Sequence, residues 1–259
     1  MNISITGPGV YFTIPILGGI RISQTAVALL AVTILLIVVA FIVTRRIEKR
    51  PGRLQVVIEK LVTMLYDLVE STMGKHNLKF APYIGALFLS SLFGSLIGLT
   101  QIFRSTTGDL SVTLAWALAT TGMVWYCNIK NFGFKAWLKS FTEPIAVMTP
   151  MNIVSEIANP ISMAFRHFGN VAGGSVLMSV IYAALAALSS VIFGWIPGLI
   201  GTIPFFQVGI PAVLSIYFDL FSGFVQAFVF CLLTMIYVGA ANPPAEELPV
   251  RNKKAKKQK

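Results

Sequence analysis

The stretch EIANPISMAFRHFGNVAGGS, residues 156–175, decides how the chain is read. It lies inside a long apolar run, yet it carries a glutamate, an arginine, a histidine and two asparagines. Placing Arg at the centre of a bilayer helix costs roughly 2.5–3.5 kcal/mol on insertion scales. A membrane chain that accepts this cost uses the charge. Arg166 therefore reads as the fixed electrostatic element of an ion pathway, and the other spans as its support.

Composition agrees with a membrane setting. Of 259 residues, 56% are hydrophobic and 12% charged, and the mean hydropathy is +0.78. Soluble domains carry about 25% charged residues. The expected fold is an all-α polytopic membrane protein, with five transmembrane helices, one interfacial amphipathic helix, and the last two spans long and strongly tilted. Cys127 and Cys231 lie in or beside apolar spans without metal-ligand spacing and read as small core residues. With two histidines in the whole chain, a His-rich metal cluster is not expected, and no cofactor is implied.

Working outward along one membrane domain, residues 1–23 form an outer N-terminal segment without the basic, then apolar, pattern of a signal peptide. Residues 24–44 are a first span, followed at once by Arg45, Arg46, Lys49, Arg50 and Arg53, the mark of a cytoplasmic end. In residues 54–73, Leu54, Val57, Ile58, Leu61, Leu65, Leu68 and Val69 recur at helical spacing against a polar face. That pattern predicts an amphipathic helix along the cytoplasmic interface, a placement compatible with packing on another subunit. Residues 81–103, rich in Gly and Ser, and residues 110–128 are the second and third spans. Residues 128–143 carry three lysines and should be cytoplasmic.

Residues 150–193 are continuously helix-compatible, about 65 Å at 1.5 Å per residue. They are either two crossings or one tilted helix. A last run, 207–240, is followed by the basic tail 241–259, which belongs inside. Parity then requires one crossing for each long run, both steeply tilted. In this topology 17 of the 20 Lys and Arg face the cytoplasm. That accounts for the net charge of +10 without any nucleic acid.

The two tilted helices hold Glu156, Arg166 and Asp219, with His167 a fourth ionisable candidate. Asn159, Met163, Arg166, Asn170 and Gly173 share one face. Glu156 lies about 15 Å along the axis from Arg166 and roughly 80° around it, so it needs its own water or partner. Asp219 and Gln226, seven apart, share a face of the last helix, with Ser222 and Gly223 between. A simpler alternative is one buried Arg166–Asp219 ion pair joining two helices, which leaves Glu156 and Gln226 unexplained.

At these residues the chain resembles subunit a of the rotary F-type ATP synthases. Arg166, Phe168-Gly169-Asn170 and Ala172-Gly173 are similar to the family's Arg-Leu-Phe-Gly-Asn and small-residue pair. Pro150 to Ile153 and Glu156 to Pro160 resemble its lead-in. Gln226 to Phe230, with Leu233, Thr234 and Tyr237, looks like its last helix, and residues 105–113, with Asp109, its Thr-x-Asp-Leu loop. The resemblance implies a non-catalytic stator against which a ring of c subunits turns, joined by the b subunits of a peripheral stalk in membrane lipid. Two half-channels would carry H+, or alternatively Na+, and Arg166 would separate them. It implies that Asp219 lies in the outer half-channel and Glu156 near the pathway. Gln226 would orient the Arg166 guanidinium, and Asn170 would line the pathway or contact the ring. A guanidinium suits the role because it keeps its proton.

The chain departs from the family at Ser175, where some members carry Glu or His, and at His167, where Leu is usual. His167 points about 100° from Arg166 on a helix, which favours a hydrogen-bonded structural role over a proton relay. The bacterial plasma membrane is the expected location, with the N-terminus outside and the C-terminus cytoplasmic. A secondary transporter with a buried Arg/Asp site is the alternative, but such proteins usually show repeated halves and none is visible. A membrane enzyme would need a nucleophile–base pair or metal motif that the sequence does not offer.

Overall fold

The computed structural model describes residues 9–14, 20–45, 47–48, 52–100, 103, 105–143, 145–193, 214 and 216–244, excepting the side chains at 11–14, 20, 21, 146, 193, 216, 218 and 219. Helices dominate: α1 Gln24–Arg45, α2 Arg53–Met73, α3 Ala81–Leu96, α4 Leu110–Phe132, α5 Phe134–Ser140, α6 Thr149–Phe193 and α7 Ser222–Ala241. Among the described residues five helical segments are long and apolar enough to cross a membrane: α1, α3 with its flanking 3-10 turns, α4, α6 and α7. The protein is an all-α polytopic membrane protein, with one amphipathic helix, α2, beside its five spans.

Cα proximity groups the chain into two compact units. The first is Met1–Thr33, Ser91–Leu110 and Arg166–Ala227; the second is Ile34–Ser90, Ser111–Phe165 and Phe228–Lys259.

The first unit begins with an element that hydropathy did not signal. Strands β1 Val10–Ile14 and β2 Ile20–Ser23 form an antiparallel hairpin, with Thr13 opposite Arg21 and a bulge between Val10 and Phe12. The runs VYFTI and IRIS are rich in β-branched and aromatic residues, which favour strands. The hairpin passes directly into α1, where the Gln24 amide donates to Gly9 O at 2.9 Å. The same unit holds a seam of hydroxyls. Ser91, Ser95, Thr106 and Thr107 are buried. Ser95 Oγ lies 2.9 Å from Thr107 Oγ1 and donates to Ser91 O at 3.0 Å, and Ser105 Oγ donates to Gly94 O at 3.2 Å. Small residues make the seam possible: a Cβ on Gly223 would lie 3.2 Å from Ser95 Cβ.

The second unit is closed by an asparagine clasp. Asn242 Nδ2 donates to Asn77 Oδ1, Asn77 Nδ2 to Asn242 O at 3.1 Å, and Asn131 Nδ2 to Asn242 Oδ1 at 2.7 Å. All three side chains are buried, so the pairing removes a desolvation cost that each amide would otherwise bear. The clasp joins the turn before α3, the end of α4 and the end of α7. Ile84, Leu87, Phe230, Met235 and Val238 form the apolar core, with Trp116 edge-on to Phe230 at 6.4 Å. Cys127 and Cys231 are buried in this unit. The C-terminal half of α2 docks here through Leu65, which lies against Gly85, and through Val69 and Met73. Its N-terminal half leaves Leu54, Val57 and Leu61 uncovered.

Two boundaries differ from the sequence expectation. The third span does not stop at 128 but runs to Phe132, and Lys130 lies in its last turn. The helix breaks at Gly133, whose φ of +90° suits glycine. Residues read as a plain cytoplasmic stretch then form α5. The run 150–193 lies in one uninterrupted helix, Thr149–Phe193, of 45 residues, with Pro160 inside it. Residues 207–213 and 215 of the last run lie outside the described residues, and α7 is preceded by a π-helical turn, Ile216–Phe221.

Candidate functional site

The candidate residues fall on α6 and α7, with a contribution from α4. In the first unit Arg166 is exposed. Among the described residues no ion pair involves it. The side chain of Asp219 lies outside the described residues, and with it the Arg166–Asp219 pair. Asp219 belongs to the π-helical turn, where each residue advances less than the 100° of an α-helix. The shared face derived for Asp219 and Gln226 from a 3.6 period therefore does not carry across this turn.

Gln226 is buried and accepts a hydrogen bond from Asn170 Nδ2 at 2.9 Å, while Ser222 Oγ donates to Asn170 Oδ1 at 3.4 Å. The glutamine thus reaches the asparagine one turn beyond Arg166. His167 is fully buried, on the opposite side from the exposed Arg166, with Nε2 3.1 Å from Ser91 Oγ. A helical step of about 100° separates the two neighbours, and it sends one side chain inward and the other outward. Ser175 is exposed and donates to Ala172 O at 2.7 Å on its own helix. Asp109 Oδ2 accepts from the buried Thr25 Oγ1 at 2.5 Å, tying the loop before α4 to the start of α1.

In the second unit Glu156 has a partner that spacing gave no sign of. Trp125 Nε1, on α4, donates to Glu156 Oε1 at 2.5 Å. Glu156 borders two cavities. One, about 240 Å³, is lined by Thr120, Asn128, Asn159, Met163 and Tyr237 among others. The other, about 680 Å³, is lined by Asn128, Lys139, Glu143, Asn152 and Ser155 among others. Pro160 has no N–H to give to the Glu156 carbonyl, so the helix is weakest where the carboxylate is held. Trp125, Asn128 and Ser91 were not singled out from sequence. Trp125 and Ser91 are of types common in ordinary spans, and the partner of each lies on another helix.

This arrangement defines a class: a multi-pass membrane protein with an uncovered arginine on a long helix and amide, hydroxyl and carboxylate groups along its spans. Residues 25–239 match the family model for the ATP synthase A chain. The chain belongs to that family, whose members are subunit a of the ATP synthase. It is 31% identical over 245 residues to the subunit described as "ATP synthase subunit a, sodium ion specific" from Propionigenium modestum, covering 89% of this chain and 78% of that one. It is 30% identical over 241 residues to ATP synthase subunit a of Bacillus subtilis, covering 88% and 95%. It is 30% identical over 223 residues to a subunit a of Crocosphaera subtropica, covering 85% and 87%. Family membership associates the chain with ATP synthesis and ion transport in a membrane and sets aside the secondary-transporter alternative.

Proposed function

We propose that this chain is the non-catalytic stator of a rotary ATP synthase, in which Arg166 stands between two ion half-channels and couples ion flow to rotation of a c-subunit ring. The observation that carries this reading is the exposure of Arg166 on a helix that the described residues leave largely uncovered. In the apolar window of α6, 11% of the residues are buried, against 44% in α7. The neighbours Ile157, Ile161 and Phe165 are exposed and apolar. A guanidinium on such a face cannot be left to lipid at a cost of roughly 2.5–3.5 kcal/mol or more. It calls for a partner helix bearing a negative charge, which a ring of carboxylate-carrying subunits supplies. Gly169 and Gly173 share this region, and a Cβ on either would meet none of the described residues within 4 Å. Small residues of this kind let a partner helix approach closely.

In this mechanism a ring carboxyl gives up its ion to one half-channel, is drawn to Arg166 as the carboxylate, and takes up an ion from the other half-channel as it moves on. Because the guanidinium does not give up its proton, it also bars direct passage from one half-channel to the other. Asp219 serves the outer half-channel, and Glu156 lies near the pathway. Asn170, held by Gln226, presents its amide beside the arginine. The ion is assigned as the proton, with sodium the alternative, since one relative is described as sodium ion specific. The b subunits of the peripheral stalk hold the stator. The setting is a bacterial plasma membrane with the N-terminus outside and the basic tail in the cytoplasm, the orientation that positive charge favours. In that frame α6, about 67 Å long, crosses at a steep tilt.

The test is ion flux in vesicles carrying the assembled complex. Arg166→Ala is expected to abolish ATP-driven pumping while passive flux, with the soluble head removed, is retained or raised. Arg166→Lys should also fail to pump tightly. Normal, tight pumping by Arg166→Ala would refute the stator reading.

A further inference from the structure

In the first unit α6 runs on from Arg166, and over residues 166–192 it is lightly held. Three of these side chains are buried: His167, Met178 and Ser189. They follow one another at eleven residues, about three turns, so they lie on one narrow stripe. A rod that packs along a single line is free to roll about it. Apolar burial resists such a roll poorly, because it is not directional. A roll of about 20° carries a side-chain tip roughly 6 Å from the axis through about 2 Å. A displacement of that size spoils the meeting of a fixed guanidinium with a passing carboxylate.

We infer that His167 is a positioning residue for Arg166: its hydrogen bond with Ser91 on α3 sets how far α6 is rolled, and so where the guanidinium stands. The inference rests on the stator reading above. His167 heads the buried stripe, with Nε2 3.1 Å from Ser91 Oγ, and both residues are fully buried. In such a setting no water competes for either atom, so the bond holds its angle as well as its length. Arg166 is the adjacent residue of the same helix, so no soft segment separates the anchor from the charge. The anchor point is itself fixed, since Ser95 Oγ donates to Ser91 O at 3.0 Å and lies 2.9 Å from Thr107 Oγ1. One turn past His167, Val171 faces the loop before α4, where a Cβ on Gly108 would lie 3.8 Å from Val171 Cγ1. A second polar tie, from Asn170 Nδ2 to Gln226 Oε1 at 2.9 Å, comes from α7. One tie alone is a pivot, whereas two ties from different helices fix the roll. A leucine at 167 would fill the space but supply no direction.

The test measures roll and coupling in one assembled complex. Cys127 and Cys231 are replaced by Ser, and Gly108→Cys and Val171→Cys are introduced as a reporter pair between the loop and α6. Oxidation with copper phenanthroline closes the disulfide only when the two Cβ atoms come within about 4.5 Å. His167→Leu and Ser91→Ala each remove the tie. Each is expected to slow disulfide formation about three- to tenfold, the population change for one lost hydrogen bond. Each should also lower ATP-driven pumping per complex while the c-ring still co-purifies. The two changes together should do no more than either alone. His167→Gln, which offers an amide nitrogen in place of the imidazole Nε2, should restore both readings. Ser91→Ala decides the case if His167→Leu does not assemble. An unchanged disulfide rate, or no gain of His167→Gln over His167→Leu, would overturn the inference. Slower cross-linking with full pumping overturns it too when Arg166→Ala abolishes pumping. If Arg166→Ala also pumps normally, the stator reading has failed and the inference falls with it.

Discussion

At the scale of single residues, the outward Arg166 and the inward His167 show how one helical step separates function from packing. The histidine is spent on the hydroxyl seam through Ser91, and the arginine is left for a partner. The seam itself tolerates little added volume. A Cβ on Gly94 would lie 2.2 Å from Thr106 Oγ1, and Thr106 is fully buried. Gly94→Ala is therefore expected to destabilise the subunit by about 1–3 kcal/mol through overpacking, seen as a lower inactivation temperature of the purified complex. An unchanged temperature would mean that the Thr106 loop yields freely. Arg166, Asp219 and Glu156 were legible in the sequence because an ionisable group in an apolar run is locally anomalous. Trp125 was not, because an indole is at home in a span and its bond to Glu156 crosses 31 residues of sequence.

At the scale of elements, α2 was legible because its apolar residues repeat with the helical period, and its exposed N-terminal half fits a membrane interface. The N-terminal hairpin, α5 and the π-helical turn were not. Strands of five and four residues and a two-turn helix are too short to stand out by hydropathy, and a π turn has no compositional mark. Helix ends in the second unit depend on the asparagine clasp. Asn242→Ala leaves the buried amides of Asn77 and Asn131 each short of a partner, at roughly 1–3 kcal/mol apiece. The expected outcome is faster proteolysis at the C-terminal end of α7 and a lower denaturation midpoint of the detergent-solubilised subunit. If neither moves, the clasp contributes nothing to holding these ends together.

At the scale of the whole molecule, the uncovered surfaces of α1 and α6 ask for different neighbours. The exposed residues of α1 are almost all apolar, as lipid requires, whereas α6 exposes Arg166, Gly169, Asn170, Gly173 and Ser175. A Cβ at Gly169 meets none of the described residues, so with Gly169→Leu insertion of the subunit should be normal while co-purification of the c-ring is lost. Gly122→Leu on α4, also in open space, is the matched control and should retain the ring. Loss in both, or in neither, would remove α6 as the ring-facing surface. By itself the sequence determined that the chain is a helical membrane protein and that Arg166 is an ionisable group inside an apolar run, because hydropathy, helical period and a misplaced ion are local properties. Only the tertiary structure decided what each buried polar group pairs with. It set Gln226 on Asn170, His167 on Ser91 and Trp125 on Glu156. The reason is physical: a hydrogen bond is fixed by distance and angle between atoms brought together from separate helices, and neither residue alone carries a mark of the other.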